Sequence, residues 1–221
     1  MPEAEDLIIT EIDAAVMTVT LNRPAKANAL STIMLRRLAE VFDEAEKNVD
    51  LRALLITGAG ERAFCAGADL NELHSLSEPP EAGEPDIWTR MANSLRALPL
   101  LSIAVMNGTC MGGGLTLALG CDIRLAVPEA RFQYPVLKNN VLPAQYDVNS
   151  LVHLAGPGRA SAILLGGDKL SAEEALHWGL VDRLVDRAEL MAAAYGLIET
   201  ALESDPDHLS AIKSLIREAQ A

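Results

Sequence analysis

The sequence predicts a mixed α/β domain of 221 residues, made of recurring strand–strand–helix units and closed by a C-terminal helical segment. Two stretches and one fact of composition carry that prediction. Between Ser102 and Asp122 a short apolar run (Ile103 to Met106) meets a turn at Asn107-Gly108. Three glycines (Gly112 to Gly114) and a small-residue helical run, Leu115 to Leu119, follow. Phe64-Cys-Ala-Gly-Ala-Asp-Leu-Asn-Glu-Leu73 repeats the order of strand, glycine turn and helix. Half of the residues are hydrophobic but only 4% are aromatic, so the expected core is Ala, Leu, Ile and Val.

In chain order, Leu7 to Ile12 and Val16 to Leu21 read as a hairpin around Asp13-Ala14, stopped by Asn22-Arg23-Pro24. Ser31 is placed to cap a helix from Thr32 to Lys47, with Leu35, Leu38, Val41, Phe42 and Ala45 on one face. Leu51 to Thr57 is a buried strand closed by Gly58-Ala-Gly60. The prolines and glutamates from Glu78 to Pro85 predict a mobile surface loop. Ile87 to Leu98 is a helix stopped by Pro99. Beyond the central stretch, strands are expected at Asp122 to Val127 and Arg131 to Tyr134. Helices follow over Pro143 to Leu154, Gly158 to Leu165 and Ala172 to His177, then a short strand (Val181 to Val185) and two final helices.

Charge and cysteine usage narrow the function. A net charge of −13 argues against nucleic acid and anionic membrane as partners, since both call for basic patches. No apolar run approaches a bilayer span, and the acidic N-terminus does not resemble a signal peptide. Cys65, Cys110 and Cys121 have neither metal-ligand nor disulfide spacing, so no metal site and a reducing, cytoplasmic setting are expected. The glycines leave two readings open. They give a helix start whose free N–H groups hold an anion or a developing oxyanion, or they let a helix pack tightly on a sheet.

Four motifs in order carry a family resemblance. They are Val16-Met-Thr-Val-Thr-Leu-Asn-Arg-Pro-Ala-Lys-Ala-Asn-Ala-Leu30, Phe64-Cys-Ala-Gly-Ala-Asp-Leu70, Asn107-Gly-Thr-Cys-Met-Gly-Gly-Gly-Leu-Thr-Leu-Ala-Leu-Gly-Cys-Asp-Ile123 and the run Gly166 to Asp182. The chain resembles the crotonase superfamily, the enoyl-CoA hydratase/isomerase family. The resemblance implies a crotonase-like spiral of ββα units whose sheets pack face to face, assembled as trimers or hexamers. It implies an acyl-CoA or carrier-bound acyl thioester as substrate, with no separate cofactor. The backbone N–H groups of Ala68 and Gly113 would hold the thioester oxygen. Lys26, Ala27, Ala66, Asp69, Leu70 and Asn71 would lie along coenzyme A. By the same resemblance, residues 1–187 form the core domain and 188–221 a shortened C-terminal helical segment.

The departures from the family pattern concern acid and base. Typical hydratases of the family carry two glutamates; Thr116 and Val136 stand at those positions, and neither can be a base near neutral pH. An aspartate used by other members is replaced by Ala144. Two-glutamate water addition is therefore not expected. Asp147, one helical turn after Ala144, is the leading acid/base candidate; the alternative is an Asp placed in a first turn for the helix dipole. Tyr134 and Tyr146 are candidate hydrogen-bond donors, or half-buried anchors. Lys138, Asn139 and Asn140 are candidates for a substrate carboxylate, and His74 for the pocket, while His153 and His177 read as structural. The resulting expectation is a lyase or isomerase acting through an enolate. The alternative is a catalytically silent acyl-thioester-binding subunit of a partner enzyme.

Overall fold

The computed structural model describes residues 4–72 and 85–219. His74 and most of the loop expected from Glu78 lie outside them. A helical turn α1 (Ala4–Leu7) leads into the antiparallel hairpin of β1 (Ile8–Asp13) and β2 (Val16–Leu21). Leu7 belongs to the turn, and the hairpin bends one residue later than expected, with Ala14 at φ 50°. β1 is an edge strand: Ile8 alone of its residues is buried.

Helix α2 (Thr32–Lys47) forms as its periodicity requires. Ser31 accepts from Met34 N–H at 3.4 Å, and the predicted apolar face is buried. β3 (Ala53–Gly58), β4 (Ala63–Cys65), α3 (Ile87–Ala97), β5 (Leu101–Met106), β6 (Thr109–Met111), α4 (Gly113–Gly120), β7 (Ile123–Ala126) and β8 (Arg131–Gln133) follow. The first strand of each pair (β3, β5, β7) joins a parallel array with β2, and the second (β4, β6, β8) joins a smaller sheet. Each unit thus steps from the large sheet to the small one before the next begins. The result is the expected spiral of ββα units.

Next come α5 (Val136–Asn139), α6 (Gln145–Ala155), α7 (Pro157–Leu164), β9 (Lys169–Ser171), α8 (Ala172–His177) and β10 (Arg183–Leu184). Two helices, α9 (Leu190–Glu203) and α10 (Pro206–Glu218), close the chain. The large sheet runs β1-β2-β3-β5-β7-β10 and the small one β4-β6-β8-β9, with β9 antiparallel to β8. α9 packs on β3, β5 and β7. Lys213 of α10 donates to Leu100 O and Asp122 Oδ2, both at 2.6 Å, and Arg217 donates to Leu98 O.

The glycines of α4 let it pack tightly, as one of their two readings expects. Every residue from Gly114 to Gly120 is buried, as suits a helix apolar all round. A Cβ at Gly114 would lie 2.6 Å from Cys65 O, and one at Gly120 would lie 2.7 Å from Leu95. Only a helix free of side chains at these points approaches β4 and α3 so closely. Its N-terminus, at the same time, opens onto a cavity.

Candidate active site

The cavity has a volume of about 1010 Å³ and lies where the loop after β4, the start of α4, α5 and the start of α6 meet. Its first feature is a pair of backbone donors. Leu30 N–H donates to Gly67 O at 2.7 Å, and Asp69 N–H donates to Leu30 O at 2.8 Å, forming an isolated parallel bridge between Leu30 and Ala68. In extended chain, alternate peptide groups point to opposite sides. With the groups flanking Ala68 bonded to Leu30, the Ala68 N–H faces the other way, and it has no acceptor among the described residues. Gly67 takes φ +95°, and a Cβ there would lie 3.2 Å from Gly113 N. The Ala68 loop therefore abuts the first residue of α4, whose N–H also lacks an acceptor among the described residues, as expected at a helix start. The helix expected at the end of the Phe64 to Leu73 pattern is not formed among the described residues: Ala68 to Glu72 is bridge and turn, and that geometry frees the Ala68 N–H.

The second feature is a buried carboxyl. Asp147 is only 1% exposed and lines the cavity. Tyr134 OH donates to its Oδ2 at 2.5 Å, and Thr116 Oγ1 donates to the same oxygen at 2.8 Å. Oδ1 is buried without a hydrogen-bond partner among the described residues. Burial pushes this carboxyl above its ordinary range, and the two hydrogen bonds pull against that shift. Burial and the adjacent carboxylate push the Tyr134 phenol well above its usual value, so it stays a donor. A first-turn placement for the dipole alone does not describe Asp147, because its carboxyl turns inward onto α4.

Thr116 and Gly113 are three residues apart on α4, hence on one face and about 4.5 Å apart along the axis. The carboxyl bonded to Thr116 and the free N–H of Gly113 therefore serve the same end of the cavity. Polarised donors on one side and a carboxyl oxygen on the other can take a proton from a carbon whose neighbouring carbonyl gains negative charge.

The remaining candidates divide. Lys26, Ala66, Leu70 and Asn71 line the cavity, as do Lys138 and Asn139, whereas Ala27 faces a neighbouring hollow of about 110 Å³. Asp69 lines the cavity, but its carboxylate is engaged. It accepts from Asn71 N–H at 3.0 Å and pairs with Arg23 at 2.7 Å, and these contacts hold it below its ordinary pKa. Tyr146 is an anchor: its hydroxyl donates to Leu119 O and Arg96 lies 3.9 Å over its ring. His153 and His177 are exposed on their helices. Cys65 is a buried thiol, pushed up to about 12 by desolvation, whose sulfur accepts from Gly67 N–H at 3.4 Å. Sequence reasoning missed Trp88, which lines the cavity, and saw Thr116 only as a lost base.

Comparison with known proteins identifies the family. The family profile described as enoyl-CoA hydratase/isomerase matches residues 11–221. The short-chain-enoyl-CoA hydratase of Clostridium acetobutylicum is 33% identical over 199 residues, covering 90% of this chain and 76% of that protein. The 1,2-epoxyphenylacetyl-CoA isomerase of Escherichia coli K12 is 35% identical over 222 residues, covering 97% of this chain and 83% of its own. The crystal structure of an enoyl-CoA hydratase/carnithine racemase from Magnetospirillum magneticum superposes with a TM-score of 0.89 at 33% identity. That match covers 98% of this chain and 82% of the other. Profile, relatives and fold agree, and the chain belongs to the enoyl-CoA hydratase/isomerase family.

Proposed function

We propose that this protein catalyses proton transfer at the carbon next to the carbonyl of an acyl-CoA thioester, with Asp147 as the single acid/base group. The observation that carries the reading is the Asp147 carboxyl: it belongs to a residue that lines the cavity, is buried, is anchored through Oδ2, and leaves Oδ1 without a hydrogen-bond partner among the described residues. The thioester oxygen is received by the N–H groups of Ala68 and Gly113. The α-C–H bond breaks, its proton goes to Oδ1, and its electron pair moves into the carbonyl as an enolate held by those donors. If the proton on Asp147 is replaced by one from solvent before return to the α-carbon, exchange results, and delivery of a proton to the γ-carbon of a β,γ-unsaturated chain gives isomerisation. The relatives named above are a hydratase and an isomerase of CoA thioesters. With Thr116 and Val136 at the positions of the family's two glutamates, isomerase or lyase chemistry suits this site better than water addition.

Lys26, Ala66, Leu70 and Asn71 would follow the pantetheine and nucleotide. A homo-oligomer, trimer or hexamer, and a reducing cytoplasm complete the proposal. Exposed Ile212, Leu215 and Ile216 on α10 and three free, buried cysteines support those two parts.

Deuterium exchange at the α-carbon of simple acyl-CoAs, followed by NMR in wild type and Asp147→Asn, tests the reading. Exchange in wild type that falls by about 10²- to 10⁴-fold in the variant is the expected result. Exchange that survives the substitution removes Asp147 from the role. Tight binding without any exchange would mark the chain as a silent acyl-thioester-binding subunit.

A further inference from the structure

We infer that Trp88 is the specificity-determining wall of the acyl site, one that admits straight acyl chains and rejects branching at the α-carbon. This rests on the thioester reading above. Trp88 is half-buried in the first turn of α3 and lines the cavity. The edge of its six-membered ring is pressed on Gly113: a Cβ built there would lie 2.3 Å from both Cη2 and Cζ3. The indole therefore stands beside the N–H assigned to the thioester oxygen. An acyl group whose oxygen is held by that N–H would carry its α-carbon past this ring.

Its position is fixed by its own helix. Asp86 caps α3, accepting from the Trp88 and Thr89 N–H groups at 3.0 Å and from Thr89 Oγ1 at 2.6 Å. Met91, Ala92 and Leu95, farther along α3, are buried, and Leu95 packs against Gly120 of α4. The helix that carries the indole is thus locked to the helix that carries the donor. A close-packed wall has no slack for an added methyl group. Tyr134, the other aromatic side chain among the described cavity residues, has its hydroxyl bonded to Asp147. Trp88 is left as the ring that faces the acyl group.

The test compares α-deuterium exchange in butanoyl-CoA and 2-methylbutanoyl-CoA for wild type, Trp88→Ala and Trp88→Phe. A misplaced methylene-sized group in an apolar pocket typically alters kcat/KM by about 10- to 200-fold. Trp88→Ala should therefore raise the branched-to-straight ratio of kcat/KM at least about tenfold. Trp88→Phe, which keeps a ring and serves should the alanine variant fold poorly, should raise it less. In a Trp178→Phe background, Trp88 is the remaining tryptophan, and its emission should change as butanoyl-CoA binds.

An unchanged ratio, or silent emission while calorimetry shows binding, overturns the role of Trp88 and leaves the thioester reading standing. Failure of wild type to bind either acyl-CoA overturns the thioester reading, and this role with it.

Discussion

Arg23 Nη1 lies 2.7 Å from Asp69 Oδ2 and 3.1 Å from Ala29 O, so one guanidinium ties the residue after Ala68 to the segment that bridges it. The Arg23 N–H in turn donates to Asn28 Oδ1, and Asn28 Nδ2 donates to Ala59 O and Ala63 O on either side of the turn before β4. Asp69 is thus a positioning residue for the Ala68 N–H, and the motif that suggested a coenzyme contact has a scaffolding reason to exist.

Arg23→Gln should loosen that donor without touching substrate. A shift of about 1 Å at a reacting centre costs on the order of 10²-fold, so kcat for α-exchange should drop by about 10- to 100-fold with KM little changed. Arg23→Lys should recover part of the loss. Equal losses in the Lys and Gln variants, or a change confined to KM, would contradict the positioning role.

The pH dependence follows from the buried carboxyl. A base works only when ionised, and desolvation raises the Asp147 pKa above the ordinary 3.8 despite its two hydrogen bonds. Exchange should therefore rise with pH through that raised value and then level off. The same shift acts on stability. The folded state holds the proton more tightly than the unfolded one, so the contribution is full below 3.8 and is lost as pH climbs through the folded value. Asp147→Asn should flatten both curves. A wild-type melting profile indifferent to pH across that window would exclude a strongly desolvated carboxyl.

Tyr134→Phe and Thr116→Val address the anchored oxygen. Both donors favour the ionised form of Asp147, so deleting either should move the inflection of the exchange–pH profile upward. The phenylalanine variant should also cost about 1 to 3 kcal/mol of stability, because it leaves a buried acceptor with one partner fewer. An inflection that stays put or moves downward would show that these hydroxyls do not tune the base.

Local signals made much of this legible in the sequence. The α2 helix announces itself by Ser31 and its apolar face, and Asp147 by its offset of one turn from Ala144. Thr116 was harder. A hydroxyl is recognised as the partner of a carboxylate 31 positions away only once the chain between them is folded back. β6 and β9, three residues each, are too short for alternation to register. Trp88 reads as one more half-buried residue at the start of an amphipathic helix, because nothing local records that Gly113 lies beneath its ring. Ala27 fell outside the main cavity for a related reason. Its left-handed conformation at φ 50° ends a short 3₁₀ turn and aims it at the neighbouring hollow.

The anchor of α10 offers a stability prediction independent of catalysis. Lys213 is buried, and desolvation lowers its pKa while Asp122 opposes the shift. Its amine donates to Asp122 Oδ2, an oxygen that also accepts from the N–H and hydroxyl of Ser102 at 2.8 Å. Asp122 is partly exposed, so removing Lys213 does not strand a buried charge, but it forfeits charge-assisted hydrogen bonds to Asp122 and Leu100 O, typically about 1.5 to 3 kcal/mol. Lys213→Ala should therefore lower Tm by roughly 3 to 12 °C, given about 2 to 4 °C per kcal/mol for a chain of this size. The double variant Lys213→Met with Asp122→Asn should recover part of that loss, since it leaves neither charge unpaired. A single variant melting within a degree of wild type would mean that α10 is held by its apolar contacts alone. Because Lys213 is not among the cavity residues, exchange kinetics measured well below Tm should be unchanged, and that separates this anchor from the candidate site.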